Sequence, residues 1–357
     1  METNKENSVK YANVNIDCSF SKLTSLECTP REVCRNFDCS NNQLTSLKGS
    51  PQKVFGEFWC LNNILTSLEG GPQEVDGDFS CSENELTSLK GAPLKVGGHF
   101  YCRENKLTSL EGAPQEVGGC FVCRDNQLTS LKGAPQKVGG NIVCSYNQLT
   151  SLEGSQQEVG RNFDCSGNKL TSLVGGPQKV GGRFNCEYNK LTSLEGAPRE
   201  VSDDFWCANN QLTSLKGTPQ KIGGYFDCSE NRLTSLKGAP MKVGGNFNCA
   251  YNRITSLEGA PQKVDGAFVC RNNELTLLVG APRKVGKNFI CSYNKLTSLK
   301  GAPQKIGGYV NFDYNPDLPE YKIKAYEAYL KLSDSEKAPL TKDNHYFPTE
   351  EWENKFR

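Results

Sequence analysis

The sequence predicts a β-rich solenoid, and three observations carry that prediction. Fourteen cysteines, from Cys18, Cys39 and Cys60 to Cys291, stand 21 residues apart without an insertion or deletion, and the series first breaks at Phe312. A fixed period of this length marks a stack of coils in which each coil touches only its neighbours. The composition, 36% hydrophobic with 35 Gly and 17 Pro, suits a thin core with a tight corner in every turn better than a layered globule. Charge also alternates with the period: Glu32, Lys53, Glu74, Lys95, Glu116 and Lys137 follow one another at the position fourteen residues after the cysteine, and Glu27, Lys48, Glu69 and Lys90 do so at nine. Stacked in register, such residues are neighbours of opposite sign, although duplication of a two-coil unit would leave the same pattern.

The elements follow in chain order. Residues 1–17 form an N-terminal cap, in which Val14-x-Ile16-x-Cys18 continues the strand pattern one coil backward. Residues 18–315 hold fourteen coils, for which Cys60 to Phe79 serves as the specimen. Phe58 and Cys60 alternate with Trp59, the period of a short strand with one buried face, and strands of successive coils pair in parallel. Cysteine suits the inner slot as a small hydrophobe. Asn63 and its equivalents, fourteen of fifteen positions with Ser21 as the exception, turn the chain inward and offer amides to the backbone of the bend. Gly70 permits a positive φ at the corner, and Pro72 presets an extended path. A coil this short has no room for a long helix on its back, so extended or polyproline-like segments are expected there. Residues 316–357 form a helical C-terminal cap. Pro319 to Leu332 reads as an amphipathic helix with Ile323, Tyr326 and Leu330 on one face. Ser333-Asp334-Ser335-Glu336 reads as a capping box for a short helix, and Glu350 to Phe356 as a last turn carrying Trp352.

The run Phe58-x-Cys60-x-x-Asn63-x-Leu65-x-x-Leu68 is the leucine-rich-repeat phrase with Phe and Cys in two Leu slots. With the recurrent Leu-Thr-Ser-Leu-Glu-Gly-Ala-Pro, it resembles the short leucine-rich repeats of secreted bacterial effectors. It is also similar to repeat proteins encoded by tailed bacteriophages and large viruses. The resemblance covers about 300 residues and implies a right-handed solenoid with a parallel sheet on its concave face. It implies no chemistry: the catalytic Cys domain of some effectors has no counterpart among the residues after Asn315, which contain no Cys.

A 21-residue ladder offers none of the close Cys pairs that zinc needs, and buried parallel side chains need not reach the dihedral a disulfide requires. The ladder thiols are therefore read as structural and reduced. Cys28, Cys34 and Cys120 lie outside the ladder, with Cys120 open to a redox role or to a plain surface thiol. His99 and His345 sit in no catalytic motif. Asp17 and Asp38 make a carboxylate pair that reads as solvated strand residues. Gly97-Gly98 is a corner and not a phosphate loop.

The better lead is the outward strand slots, which vary from coil to coil while the framework columns stay fixed. The predicted partner-binding residues are Trp59, Tyr101, Arg103, Arg124, Tyr146, Tyr188, Trp206, Tyr225, Tyr251 and Tyr293. Exposed aromatics on such a sheet are typical anchors, while singly scattered ones need no explanation. Lys221, Lys242, Lys263, Lys284 and Lys305 form an unbroken column, joined by Lys216, Lys237 and Lys300, which reads as a pull on an acidic partner or as a solvated stripe.

A net charge of +1 argues against general nucleic-acid binding. No apolar run is long enough for a signal peptide or membrane span. The expectation is a cytoplasmic, non-enzymatic protein-binding scaffold without cofactor, metal or membrane association. The finer expectation is a phage factor that binds or inhibits a host protein. The competing classes are a structural component of a virion or fibre, and an enzyme with an unrecognised site.

Overall fold

The computed structural model of the chain describes residues 11–27, 29–333, 335–337 and 350–357. Cys28, Asp334 and His345 lie outside them. Each described coil crosses two parallel sheets and contributes a two-residue strand to each. The front strand Phe58–Trp59 pairs with Phe79–Ser80, Phe58 opposite Phe79 and Trp59 opposite Ser80. The back strand Lys53–Val54 pairs in the same register with Glu74–Val75. One residue of each pair points inward: Phe58 and Val54 are fully buried, as are Cys60, Leu65 and Leu68. The fold is a parallel-strand leucine-rich-repeat solenoid. Its back sheet stands where only extended or polyproline-like chain was expected, because a two-residue alternation of charge and Val is too short to announce a strand.

Three internal columns hold the coils in register. Rings of the Phe column stack, with Phe37, Phe58, Phe79 and Phe100 at centroid spacings of 5.5, 5.3 and 5.3 Å. Most ladder thiols reach toward the next coil, as Cys60 Sγ does to Ser80 O at 3.3 Å. The Asn column closes the bend. Asn105 Nδ2 donates to the carbonyls of Cys81, Cys102 and Arg103 at 3.0–3.3 Å, and its Oδ1 accepts the Leu86 N–H at 3.0 Å. The corner glycines take φ of 84–96°. At Gly91 a Cβ would lie 2.4 Å from Glu69 N of the preceding coil, so both conformation and space require glycine there.

On the back sheet the alternating charges meet as their spacing predicts. Lys53 lies 2.6 Å from Glu74. Glu116 sits between Lys95 at 3.7 Å and Lys137 at 3.0 Å, and the hydrogen bond from Lys137 holds its carboxyl below the usual range. Lys53 and Glu116 are half-buried and Glu74, Lys95 and Lys137 are exposed, so water screens these pairs and their effect is on register more than on stability.

The described chain divides into two compact units, with the boundary between Gly181 and Gly182. In the first, front strands run from Ile16–Asp17 to Phe163–Asp164. Its back sheet is interrupted: one sheet ends at Lys137–Val138, and Glu158–Val159 begins another with Lys179–Val180. The break falls at the one coil that has Gln156 in place of the corner proline. There the Gln156 side chain donates to Pro135 O at 2.9 Å.

The second unit runs from front strand Phe184–Asn185 to Val310–Asn311 and ends in a short helical cap. Helix α1, Glu320–Leu330, buries Ala325, Tyr326 and Tyr329. Of the expected face only Tyr326 is fully buried, while Ile323 and Leu330 are half-buried. The helix is turned so that Tyr326 meets Phe312 edge-on at 5.7 Å and donates its hydroxyl to Pro303 O at 2.7 Å. Ser333 accepts the Glu336 N–H while the Glu336 carboxylate accepts the Ser333 N–H, as a capping box should. Helix α2, Glu350–Glu353, leads into a 3-10 turn, Asn354–Phe356, and Trp352 donates to Ala325 O at 2.8 Å. Among the described residues no helix is long and apolar enough to cross a membrane.

Candidate functional site

The outward face of the front sheet is built from two columns. One is the residue before each ladder cysteine. There Asp or Asn folds back on the chain: Asp17 Oδ1 accepts both N–H and hydroxyl of Ser19, and Asp38 accepts the Ser40 N–H at 2.8 Å. The Ser19 bonds lower the Asp17 pKa. The carboxylate pair weighed for acid–base work therefore shapes turns.

In the same column Trp59 and Tyr101 stand on either side of Ser80. Ser80 points outward yet is buried, because two large rings flank a small side chain. The Tyr101 ring also meets His99 at 5.7 Å, and burial, with the Asp78 charge next, raises its phenol pKa. Arg103 is held by acids: its guanidinium lies 3.0 Å from Glu83 and 2.8 Å from Glu104. Arg124 lies 3.4 Å from Asp125.

In the second unit the Arg183 guanidinium stacks on Trp206 at 3.9 Å while its Nε bonds Asp204 at 3.3 Å. The Trp206 Nε1 is buried with no acceptor among the described residues. Tyr225 donates to Asp227 at 2.7 Å, and Asn248 donates to the same oxygen at 3.2 Å. Burial and the Asp227 charge push the Tyr225 phenol far up.

The second outward column lies three residues before the cysteine, and sequence reasoning missed its role. Its side chains accept the backbone N–H of the equivalent residue one coil on. Asn36 takes the Glu57 N–H, Asp78 that of His99, His99 Nδ1 that of Cys120, and Cys120 Sγ that of Asn141. His99 and Cys120 are thus members of a structural ladder. Asn15, Asn36, Asn141, Asn162, Asn246 and Asn288 recurring at this offset was the available signal.

The tyrosines two residues past the cysteine lie beyond the strand, in a turn. All fourteen described non-glycine residues of this column, Phe20 to Tyr314, have φ of 52–56°. Asn and Gly tolerate that region, whereas a bulky aromatic is an outlier there. Tyr146 and Tyr188 are exposed, each to 57%. Tyr146 lies over Gly167, where a Cβ would come within 2.8 Å of the ring. Arg271 covers Tyr251 at 5.1 Å, and Tyr293 stacks on Tyr314 at 4.1 Å. The predicted residues thus fall into separate groups: Trp59 with Tyr101, Arg183 with Trp206 and Tyr225 near Asp227, and the turn tyrosines.

Among the described residues no three His, Cys, Asp or Glu side chains gather as a metal would require. No protein-family model matches the chain, and no curated protein matches it in sequence. Solved structures do match in fold. YopM from Yersinia enterocolitica WA-314 is 22% identical, with TM-score 0.51 over 85% of this chain and 76% of that one. YopM from Yersinia pestis, described as a leucine-rich effector protein, is 21% identical, with TM-score 0.51 over 80% and 86%. The APL1 leucine-rich repeat domain is 14% identical, with TM-score 0.52 over 80% and 86%.

Proposed function

From a leucine-rich-repeat solenoid with aromatic side chains on its front face, we propose a non-enzymatic protein-binding scaffold. One observation carries the reading. Exposed tyrosines occupy left-handed positions at Tyr146, Tyr188, Tyr251, Tyr293 and Tyr314, where the other coils use Asn, Asp, Glu or Gly and, in the first, Phe20. Bulky residues kept where they cost backbone strain point to a function outside folding. Trp59 with Tyr101 on the first unit, and Trp206 under Arg183 on the second, add aromatic side chains to the front strands of each. The finer reading is a phage-encoded factor acting in the host cytoplasm on a host protein. It rests on the sequence resemblance, and the effector description of YopM supports it by fold alone.

Capture from a bacterial lysate with mass-spectrometric identification supplies the partner. Trp59→Ala with Tyr101→Ala should weaken its binding more than about tenfold, as loss of a hot spot does, with thermal unfolding nearly unchanged. Tyr251→Asn with Tyr293→Asn should weaken binding and leave the melting temperature equal or higher, because Asn relieves the strained turn. Gln115→Ala on the back should do neither. A partner that binds both double variants normally refutes the front-face assignment. Recovery of the chain in purified virions would favour the structural reading.

A further inference from the structure

We infer that the back sheet of the second unit is a separate docking surface for an acidic polypeptide segment. Lys221 stands opposite Lys242, Lys263 opposite Lys284, and Lys284 opposite Lys305. Val243 opposite Val264 carries the same register across the remaining step. All five lysines are exposed. Neighbouring strands lie about 4.8 Å apart, so five ammonium groups line about 19 Å of sheet. Each is well within a Debye length of about 8 Å of the next.

The charge of this face changes along the chain. Across the positions nine to seventeen residues after the cysteine, the first eight coils carry ten basic and nine acidic residues. The ninth coil, the first of the second unit, carries one basic and three acidic residues, and the last five coils carry ten basic and two acidic. Both acids are engaged already, Glu258 by Lys237 at 3.9 Å and Asp265 by Lys263 at 2.6 Å. The first unit shows what a register device needs, namely alternation. After Glu200 the last five coils give up that alternation and stack like charges, an arrangement that an anionic partner relieves.

The chemistry of the face selects the class of anion. It holds no aromatic ring at these positions on which a base could stack. Nine of the ten charges in the last five coils are lysines, with Arg283 the exception, so forked phosphate recognition is nearly absent. Met241 is the one large apolar side chain prominently exposed there, too little to anchor in a bilayer. Flexible point charges in a straight row suit carboxylates spaced along an extended acidic segment.

The test uses the full chain and an oligo-glutamate peptide about a dozen residues long, followed by fluorescence anisotropy, with binding expected to weaken as salt rises. Lys242→Glu with Lys284→Glu rebuilds the alternation of the first unit. It should weaken the peptide more than about tenfold while raising the melting temperature. Lys95→Gln in the first unit should leave peptide binding unchanged. Unaltered binding by the double variant overturns the proposal. So does tighter binding of an oligonucleotide or of phosphatidylserine vesicles than of the peptide at equal salt. The front-face variants leave this result untouched, so the two surfaces fail separately.

Discussion

At the scale of the residue, the chain repeats a few polar contacts that a dry, thin core makes expensive to lose. Asn105 joins four backbone groups of two successive coils with one amide, and it is buried. Asn105→Ala leaves those groups without a partner and, at about 1–3 kcal/mol for each buried group that water cannot reach, should cost about 2–4 kcal/mol in urea unfolding. Asn105→Asp keeps the acceptor and loses the donor, so it should be no less harmful. A loss below about 1 kcal/mol would mean that the bend holds without its amide. The Asn column was legible because one residue type recurs at one offset. The neighbouring ladder was not, because Asn36, Asp78, His99 and Cys120 play one role with four chemistries and read as variation. The left-handed turn was hidden in the same way: Asn62, Glu83, Tyr146 and Gly167 share no side-chain property, only a backbone conformation.

At the scale of the element, front strands were legible and back strands were not, for a physical reason. The front strand sits beside Cys60 in a three-residue alternation that the period repeats, while the back strand is two residues long and half charged. The break in the back sheet adds a test. Gln156→Pro restores the corner residue that the other coils carry, and should raise the urea midpoint by the equivalent of about 0.4–1 kcal/mol through the unfolded chain. A fall would show that the Gln156 bond to Pro135 O matters more than the proline. A short C-terminal helical cap exists, and its helix, Glu320–Leu330, is turned by part of a helical turn from the expected face, because Ile323 and Leu330 are as apolar as the residues that are buried and sequence alone cannot choose among them. Tyr326 covers Phe312 and the end of the column. A chain ending at Asn315 should therefore melt lower and self-associate through its open sheet edge; a monomer of unchanged melting temperature on size-exclusion chromatography would show the cap to be dispensable.

At the scale of the whole molecule, a net charge of +1 conceals a balanced back in the early coils and a basic one in the late coils. Composition could not reveal that; the repeat register could. The cysteines are the other whole-molecule property, and they set a pH limit. Burial raises the pKa of the thiols from Cys39 to Cys144 and from Cys207 to Cys270, with Cys123 pushed up to about 12. An unfolded thiol ionises near 8.5. Between that value and the folded one the native state holds more protons than the unfolded state, so unfolding releases protons. Stability is then complete below about pH 8.5 and falls as pH rises, by about 1.4 kcal/mol per pH unit for each such thiol. Urea midpoints measured under reducing conditions should be flat from about pH 7 to 8.5 and drop steeply by about pH 10. Replacing Cys81, Cys102 and Cys123 together by Ala lowers stability at neutral pH and should flatten that slope. An unchanged slope in the triple variant would assign the alkaline loss to the tyrosines, among them the buried Tyr326, and not to the ladder.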